Sequence, residues 1–535
     1  MAHRLLSVDA PADRMMEVRL DMHSEKGGKP AIGLGQWIAA RAMRSPERQA
    51  LTCDGETWTY RMLDERIREV TARLHARGVR PGERVGFLGL NDPLFLVTMF
   101  AAARIGAVFV PLNFRLAAPE IAFIVRDAGI TLLVVGPEQC RAVDAIRETL
   151  GCASYLATAP VDGWETLDEA GGASGSDALI HVPDEDDVAL LMYTSGTMGY
   201  PKGVMLTHGN LWWNNVNVML SMDILSDDVS LVCAPLFHIA GLNANTLPTL
   251  MKGGHVVLHR NFDPGRFFDD VARYRVTTSF AVPAMLLFIS QHQAFATSDL
   301  SSLRMFIVGA APVPLQLLGL YAERGISLQQ GYGLTETAPT ASFLGAEYAY
   351  TKVGSAGKPP LLSDIRIVDE HGVDIDEPHR IGEVCVRGPN VMKGYWNRPA
   401  ETARAMLDGD WFRSGDAGYR DEDGFLYLVD RLKDMIISGG ENIYSAEVES
   451  ALYDHPAISE AAVIGVADAV WGETVVAVVS LKAGMDLTLD GMQSFLDGRL
   501  ARYKIPRRLE IVETLPRTET GKVRKQPLRS KFESV

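Results

Sequence analysis

The sequence predicts an α/β protein: a large N-terminal domain made of two doubly wound α/β subdomains plus a β-rich lobe, followed by a small α+β C-terminal domain. Three observations carry this prediction. Short apolar runs alternate with helical spacing from Arg84 to Val135. The alternation resumes near Val188 and continues to Val308. After Pro359 the texture changes to short alternating strands punctuated by turn residues.

Residues 1–30 are polar and irregular, end in Gly27-Gly28-Lys29-Pro30, and form an N-terminal extension without visible chemistry. The large domain is taken as 31–430. Within it Arg84 to Leu88 reads as a buried strand, Pro93 to Arg104 as a helix, Ala107 to Pro111 as a strand, Ala118 to Asp127 as a helix and Thr131 to Val135 as a strand. Such alternation implies parallel strands joined by crossover helices. The second run includes Val188 to Met192, Ser230 to Ala234, Gly254 to Leu258, Phe267 to Tyr274, Thr278 to Ala281 and Met305 to Val308. Turn signals at Asp369-Glu370-His371-Gly372 and Asp421-Glu422-Asp423-Gly424 mark the β-rich lobe, which ends around Asp430. Residues 434–535 carry their own βαβ pattern in Ser445 to Asp454, Glu460 to Val466, Glu473 to Leu481 and Leu489 to Arg499, enough for a separate domain.

Composition narrows the function classes. The chain has 535 residues, 52 Lys plus Arg against 67 Asp plus Glu, and a formal charge of −15, which opposes non-specific binding to nucleic acid or anionic lipid. From Ala501 to Val535 ten basic residues face four Glu, so this tail is +6 and the rest about −21. The tail reads either as a solvated surface or as a partner for phosphate groups. Cys53, Cys140, Cys152, Cys233 and Cys385 form no CxxC pair, the pattern of unpaired thiols in a reducing compartment. Asp9 and Asp13 interrupt any signal-peptide core. The apolar stretch Leu94 to Leu112 contains Arg104 and breaks at Gly106, so no integral membrane segment is expected, and the protein reads as cytoplasmic.

The most informative segment is Tyr193-Thr194-Ser195-Gly196-Thr197-Met198-Gly199-Tyr200-Pro201-Lys202-Gly203, directly after an expected strand. Its glycines let backbone approach an anion without Cβ clashes, the hydroxyls of Thr194, Ser195 and Thr197 can donate to phosphate oxygens, and Lys202 adds a compact positive charge. It departs from the G-x-x-x-x-G-K-[ST] pattern, because Lys202 is followed by Gly203. A plain Ser/Gly-rich loop is the alternative for this segment taken alone.

This segment resembles the signature loop of the adenylate-forming, or AMP-binding, superfamily, which includes acyl- and aryl-CoA synthetases, peptide-synthetase adenylation domains and beetle luciferases. Further motifs follow in the family's order, so the resemblance runs from about Ile38 to Arg529. It implies that Thr194, Ser195, Gly196, Thr197, Gly199 and Lys202 hold the phosphates of ATP. In Pro235-Leu236-Phe237-His238-Ile239-Ala240-Gly241, His238 would orient the acid or gate its entry, with Ile239, Gly241 and Leu242 beside it in the acid pocket. In Gly309-Ala310-Ala311-Pro312, backbone would form the pocket floor and one edge of the adenine site, together with Ile307 of the preceding strand. In Gln330-Gly331-Tyr332-Gly333-Leu334-Thr335-Glu336, Tyr332 would stack on adenine while Gly331 and Gly333 allow close approach, with Gln330 beside them in the nucleotide site and Gly333 also lining the acid pocket. Thr335 would reach the α-phosphate, and Glu336 would ligate Mg²⁺. Asp416 and Arg431 match the ribose-binding pair.

The same resemblance makes 431–433 a hinge centred on Lys433, about which 434–535 swings as a mobile domain. Ser438, Gly439, Gly440 and Glu441 would line the coenzyme A passage, and Lys522 would be the catalytic lysine of adenylation. Asn243 and Asn245 could meet a substrate hydroxyl or satisfy nearby backbone; the second reading is taken.

The implied activity is ATP- and Mg²⁺-dependent conversion of a fatty or aryl carboxylic acid to acyl-AMP with release of pyrophosphate, then transfer to the thiol of coenzyme A. An acyl carrier protein is the alternative acceptor. A non-catalytic acyl-adenylate binding protein is a third reading, though such a relative should have lost Lys522, Glu336 or Asp416, and all three remain.

Overall fold

A computed structural model describes residues 32–168, 181–194, 201–310, 313–438, 441–468, 470–517 and 523–533. The N-terminal extension expected at 1–30 lies outside them.

Among the described residues the large domain holds two mainly parallel sheets and one antiparallel sheet. In the first, the strands run in spatial order Gly394–Tyr395, Lys202–Thr207, Val188–Thr194, Val108–Leu112, Arg84–Leu88, Ile130–Val135 and Ser154–Ala157. The second is ordered Ser342–Leu344, Ser327–Tyr332, Met305–Val308, Thr278–Ala281, Val229–Val232, His255–Leu258, Gln49–Cys53 and Glu56–Thr59, antiparallel only at its two edges.

The expected element types are present, but the sequence-order division into two runs needs correction. Val188–Thr194 joins the first sheet beside Val108–Leu112, and the early strand Gln49–Cys53 joins the second beside His255–Leu258. Periodicity reports which face of a strand is buried and carries no information on which strand lies alongside it.

The helix Pro93–Ile105 shows why the apolar stretch there is core. It is capped by Asp92, whose side chain accepts from Leu94 N–H at 2.8 Å, and stopped by Gly106 at φ 81°. Thirteen residues rise only about 20 Å, short of a bilayer. Arg104 is buried in an ion pair with Asp64, and its Nε donates to Gly35 O at 2.9 Å, so the one charge in the helix is neutralised internally. No helix among the described residues is long and apolar enough to cross a membrane.

The β-rich lobe is an antiparallel sheet of Ser355–Gly357, Leu426–Arg431, Trp411–Arg420, Gly382–Arg387 and Asp364–Val368, with Met406–Leu407 attached to the third of these. Gly372 and Gly424 adopt φ 80° and 79° in the two turns read from sequence. The strand Leu426–Arg431 runs straight into the short turn Leu432–Asp434, after which the small domain begins.

In the small domain the βαβ reading is corrected. Ile458–Asp468 and Gly472–Leu481 pair antiparallel as a hairpin, because only a short turn separates them, and Arg508–Ile511 alone adds in parallel. This gives the expected α+β class. Alternate residues of the hairpin feed two cores, with Ala461, Val463 and Val475 on one face and Ala462, Ile464 and Val476 on the other. All five cysteines are unpaired; Cys53, Cys140, Cys233 and Cys385 are buried and Cys152 half-buried.

Candidate active site

The phosphate-loop ends are fixed by a hairpin. Val188–Thr194 pairs antiparallel with Lys202–Thr207, so Thr194 lies directly opposite Lys202. Lys202 therefore begins a strand and is held by sheet register. Its Nζ lies 3.4 Å from Glu401 Oε2 and 4.0 Å from the centroid of the Tyr395 ring. Ser195, Gly196, Thr197 and Gly199 lie outside the described residues.

The strand Ser327–Tyr332 delivers the central motif. Gln330 Oε1 accepts from Val313 N–H at 3.2 Å, tying this strand to the segment after Gly309. Ala310 stands at φ 73°, a left-handed backbone unusual for a residue with a side chain, and turns the chain sharply at the sheet's C-terminal edge; Ala311 lies outside the described residues. A Cβ on Gly333 would stand 1.6 Å from Pro339 O, so only glycine permits this turn. Thr335 is half-buried and Glu336 is 9% exposed. The Tyr395 hydroxyl donates to Glu336 Oε1 at 2.9 Å.

Among the residues read as meeting the nucleoside, Tyr332 Oη donates to Asp416 Oδ2 at 2.6 Å, and Arg431 Nε stands 2.7 Å from Asp416 Oδ1. Sheet register sets up the second contact, because Asp416 and Arg431 are cross-strand partners. Burial and the adjoining carboxylate push the Tyr332 hydroxyl well above the usual tyrosine range, which keeps it a donor. The structure thus brings together three residues that the sequence reading assigned to adenine and ribose.

The acid side is only partly assembled as read. His238 is half-buried, with its ring 4.4 Å from that of Phe237. Gly241 opens a π-helical turn, Gly241–Thr246, and a Cβ there would meet Pro235 O at 2.4 Å. Ile307 joins Val218, Met222, Ala234, Ala244, Phe280 and Met305 in a separate apolar cluster. Ile239 and Leu242 are buried in the main apolar cluster. Asn243 Nδ2 donates to Ala338 O at 2.6 Å and Asn245 Nδ2 to Ser230 Oγ at 2.5 Å, in keeping with the reading that these amides serve the protein itself.

An AMP-binding enzyme family model matches residues 38–396, and a model of the AMP-binding enzyme C-terminal domain matches 447–522. The chain belongs to the AMP-binding enzyme family. It is 46% identical over 500 residues to a feruloyl-CoA synthase of Amycolatopsis sp, covering 94% of this chain and 99% of that one. It is 41% identical over 499 residues to an indoleacetate–CoA ligase of Aromatoleum aromaticum, covering 93% and 97%. Among solved structures, the o-succinylbenzoate CoA synthetase of Bacillus subtilis superposes with a TM-score of 0.83 in complex with its acyl-adenylate, at 34% identity over 94% of this chain and 98% of that one.

In this AMP-binding enzyme the linker to the small domain is bonded on both sides of Lys433, which is itself exposed. Asp430 Oδ2 accepts from Ser445 Oγ at 2.5 Å and from Ala446 N–H at 3.2 Å. Lys525 contacts the same Ser445 hydroxyl and lies 2.8 Å from Glu449 Oε1, while Arg529 pairs with Asp434 at 3.0 Å. Ser438 is buried opposite Gly472, and Glu441 is exposed. Gly439, Gly440 and Lys522 lie outside the described residues.

The sequence assigned no role to Tyr395, Glu401, Asp430, Ser445 or Lys525, whose contacts arise only from folding, although Asp430 and Ser445 stand within quoted motifs. Among the described residues no group of three or more His, Cys, Asp or Glu side chains could hold a metal ion. Mg²⁺ takes one or two carboxylates and completes its shell with substrate phosphates and water. Glu336 offers such a carboxylate oxygen beside the Lys202 cluster.

Proposed function

We propose that this enzyme is an AMP-forming acid–CoA ligase acting on an aryl or arylalkenoic acid. The observation that carries this is a linked set of contacts: Tyr332 donates to Asp416, which pairs with Arg431, while in the turn after the Tyr332 strand the Glu336 carboxylate is joined through Tyr395 to Lys202. Relatives at 46% and 41% identity are named for feruloyl and indoleacetate substrates, which favours a ring-bearing acid over a long alkyl chain. Their names also favour free coenzyme A over a carrier protein as acceptor. The apolar residues packed around Ile307 and Phe280, beside the strand read as part of the acid pocket, are in keeping with an apolar acid.

Tyr332 would face the adenine, with Asp416 and Arg431 at the ribose. Thr194, Ser195, Gly196, Thr197, Gly199 and Lys202 would cradle the phosphates, Thr335 would donate at the α-phosphate, and His238 would orient the incoming carboxylate. Glu336 would hold Mg²⁺, which would neutralise phosphate charge when bound. The chain's own task is to align an anion with a polyanion, so the cationic groups of Lys202 and Lys522 act by positioning and electrostatics, without a side-chain nucleophile. Attack by a carboxylate oxygen on the α-phosphorus expels pyrophosphate and leaves an acyl-phosphate bond to AMP. Rotation about Lys433 would then withdraw Lys522 and bring the Ser438–Glu441 turn to the cleft. There the thiol adds to the acyl carbon, loses its proton and expels AMP. Unpaired thiols and these substrates are in keeping with a cytoplasmic enzyme.

Pyrophosphate release across a panel of cinnamic, benzoic, indoleacetic and fatty acids tests the reading, with and without coenzyme A. Acid-dependent release with the ring-bearing members is expected; release with none of the panel overturns it. Lys522→Ala should abolish adenylate formation while leaving thiolation of supplied acyl-AMP largely intact, and equal loss of both half-reactions would remove the division of labour.

A further inference from the structure

We propose that Tyr395 is a positioning residue of the adenylation step, its hydroxyl fixing the Glu336 carboxylate and its ring fixing the Lys202 ammonium. The proposal rests on the reading of Glu336 as the metal ligand and Lys202 as a phosphate-binding group.

Sheet geometry puts Tyr395 between them. The two-residue strand Gly394–Tyr395 adds antiparallel to Lys202–Thr207, with Tyr395 opposite Val204 and Trp396 N–H donating to Gly203 O at 2.8 Å. Lys202 and Val204 share a face of their strand, so the Tyr395 ring is the diagonal cross-strand neighbour of Lys202, and the ammonium lies 4.0 Å from its centroid. Glu401, in the helix Pro399–Arg404 that follows, closes on the same ammonium at 3.4 Å.

The other end of the same side chain reaches Glu336, with Oη to Oε1 at 2.9 Å. Met392 N–H donates to Glu336 O at 2.8 Å, so backbone and side chain of Glu336 are both held by the segment 392–395. Tyr395 is 7% exposed and Glu336 9%, so water is a poor competitor for the bond. One phenol thus sets the separation between an anion meant for a cation and a cation meant for an anion. It also keeps them apart: with Tyr395 occupied at both ends, Lys202 pairs with Glu401 and not with Glu336.

The test is calorimetric titration with ATP, without acid, in excess Mg²⁺ and in EDTA. Tyr395→Phe keeps the ring and removes the hydroxyl. Affinity for ATP should fall about tenfold with Mg²⁺ and stay unchanged in EDTA. Tyr395→Leu removes both contacts and should weaken ATP in both conditions. In a Glu336→Gln background, Tyr395→Phe should have no further effect, a non-additivity that a merely structural tyrosine would not produce. Equal weakening with and without Mg²⁺, full additivity with Glu336→Gln, or no change in either condition overturns the proposal. Should Tyr395→Leu fail to fold, the Tyr395→Phe comparison still decides it. A wild-type enzyme whose ATP affinity ignores Mg²⁺ would instead defeat the underlying reading of Glu336.

Discussion

Asp430 and Ser445 are bonded to each other across Lys433: the carboxylate at the end of the large domain accepts from the hydroxyl that opens the first helix of the small one, at 2.5 Å. The same hydroxyl contacts Lys525, three residues beyond Lys522. The root of the segment expected to carry the catalytic lysine is therefore tied to the linker through this serine, and its helix is tied there again through Arg529 and Asp434.

Ser445→Ala should loosen that tie. Tryptic cleavage after Arg431 or Lys433 is expected to quicken several-fold, while thermal melting of the large domain stays within about a degree, since the bond is partly exposed. Unchanged cleavage kinetics would show that the linker is held by other contacts.

Tyr332→Phe should raise the KM for ATP about tenfold and leave the KM for acid unaffected, because it removes one hydrogen bond to a buried carboxylate. The pH dependence has a definite sign. Burial and Asp416 raise the Tyr332 hydroxyl, so its bond is intact below the ordinary tyrosine range and is lost only as pH climbs past the raised value. Steady-state kinetics should show a flat KM for ATP between pH 7 and 10; a rise near pH 9 would contradict this.

Gly331 and Gly333 look equivalent in the sequence and should respond differently to alanine. A Cβ at 331 meets the Phe343 ring at 3.4 Å, ordinary contact, whereas at 333 it would overlap Pro339 O. Gly333→Ala should abolish pyrophosphate release and lower the melting temperature by several degrees; Gly331→Ala should fold with wild-type stability. Matching melting curves for the two variants would refute the distinction.

His208 and His255 should make the fold acid-sensitive. Both are buried neutral: His208 Nδ1 accepts from Leu34 N–H at 3.1 Å, His255 Nε2 lies 2.7 Å from Thr52 Oγ1, and burial lowers each to about 4. Protons then bind the unfolded chain first, so stability is complete above pH 6.5 and declines toward pH 4, by up to about 1.4 kcal/mol per unit for each histidine. Urea midpoints should fall between pH 7 and 5, and His208→Gln with His255→Gln should flatten that fall.

Local chemistry was legible in the sequence wherever one segment carried it. The stop at Gly106 was readable because turn geometry acts at short range, whereas Gly331, Gly333, Asp416 and Arg431 were picked out by the motifs that resemble the family. Sheet partnership was not: that Gln49–Cys53 lies beside His255–Leu258, or that Gly394–Tyr395 completes the sheet carrying Lys202, depends on contacts hundreds of residues apart. For the same reason Tyr395 went unnoticed, although it touches two residues that were named.

The unpaired cysteines have a chemical consequence for an enzyme that would make a reactive acyl group to be captured by sulfur. Burial pushes Cys53, Cys233 and Cys385 up to about 12, and Cys140 and Cys152 to about 11. At pH 7 no more than about one in ten thousand of any of these is ionised. The protein's own sulfurs would thereby be poor rivals of an incoming thiol for such an intermediate.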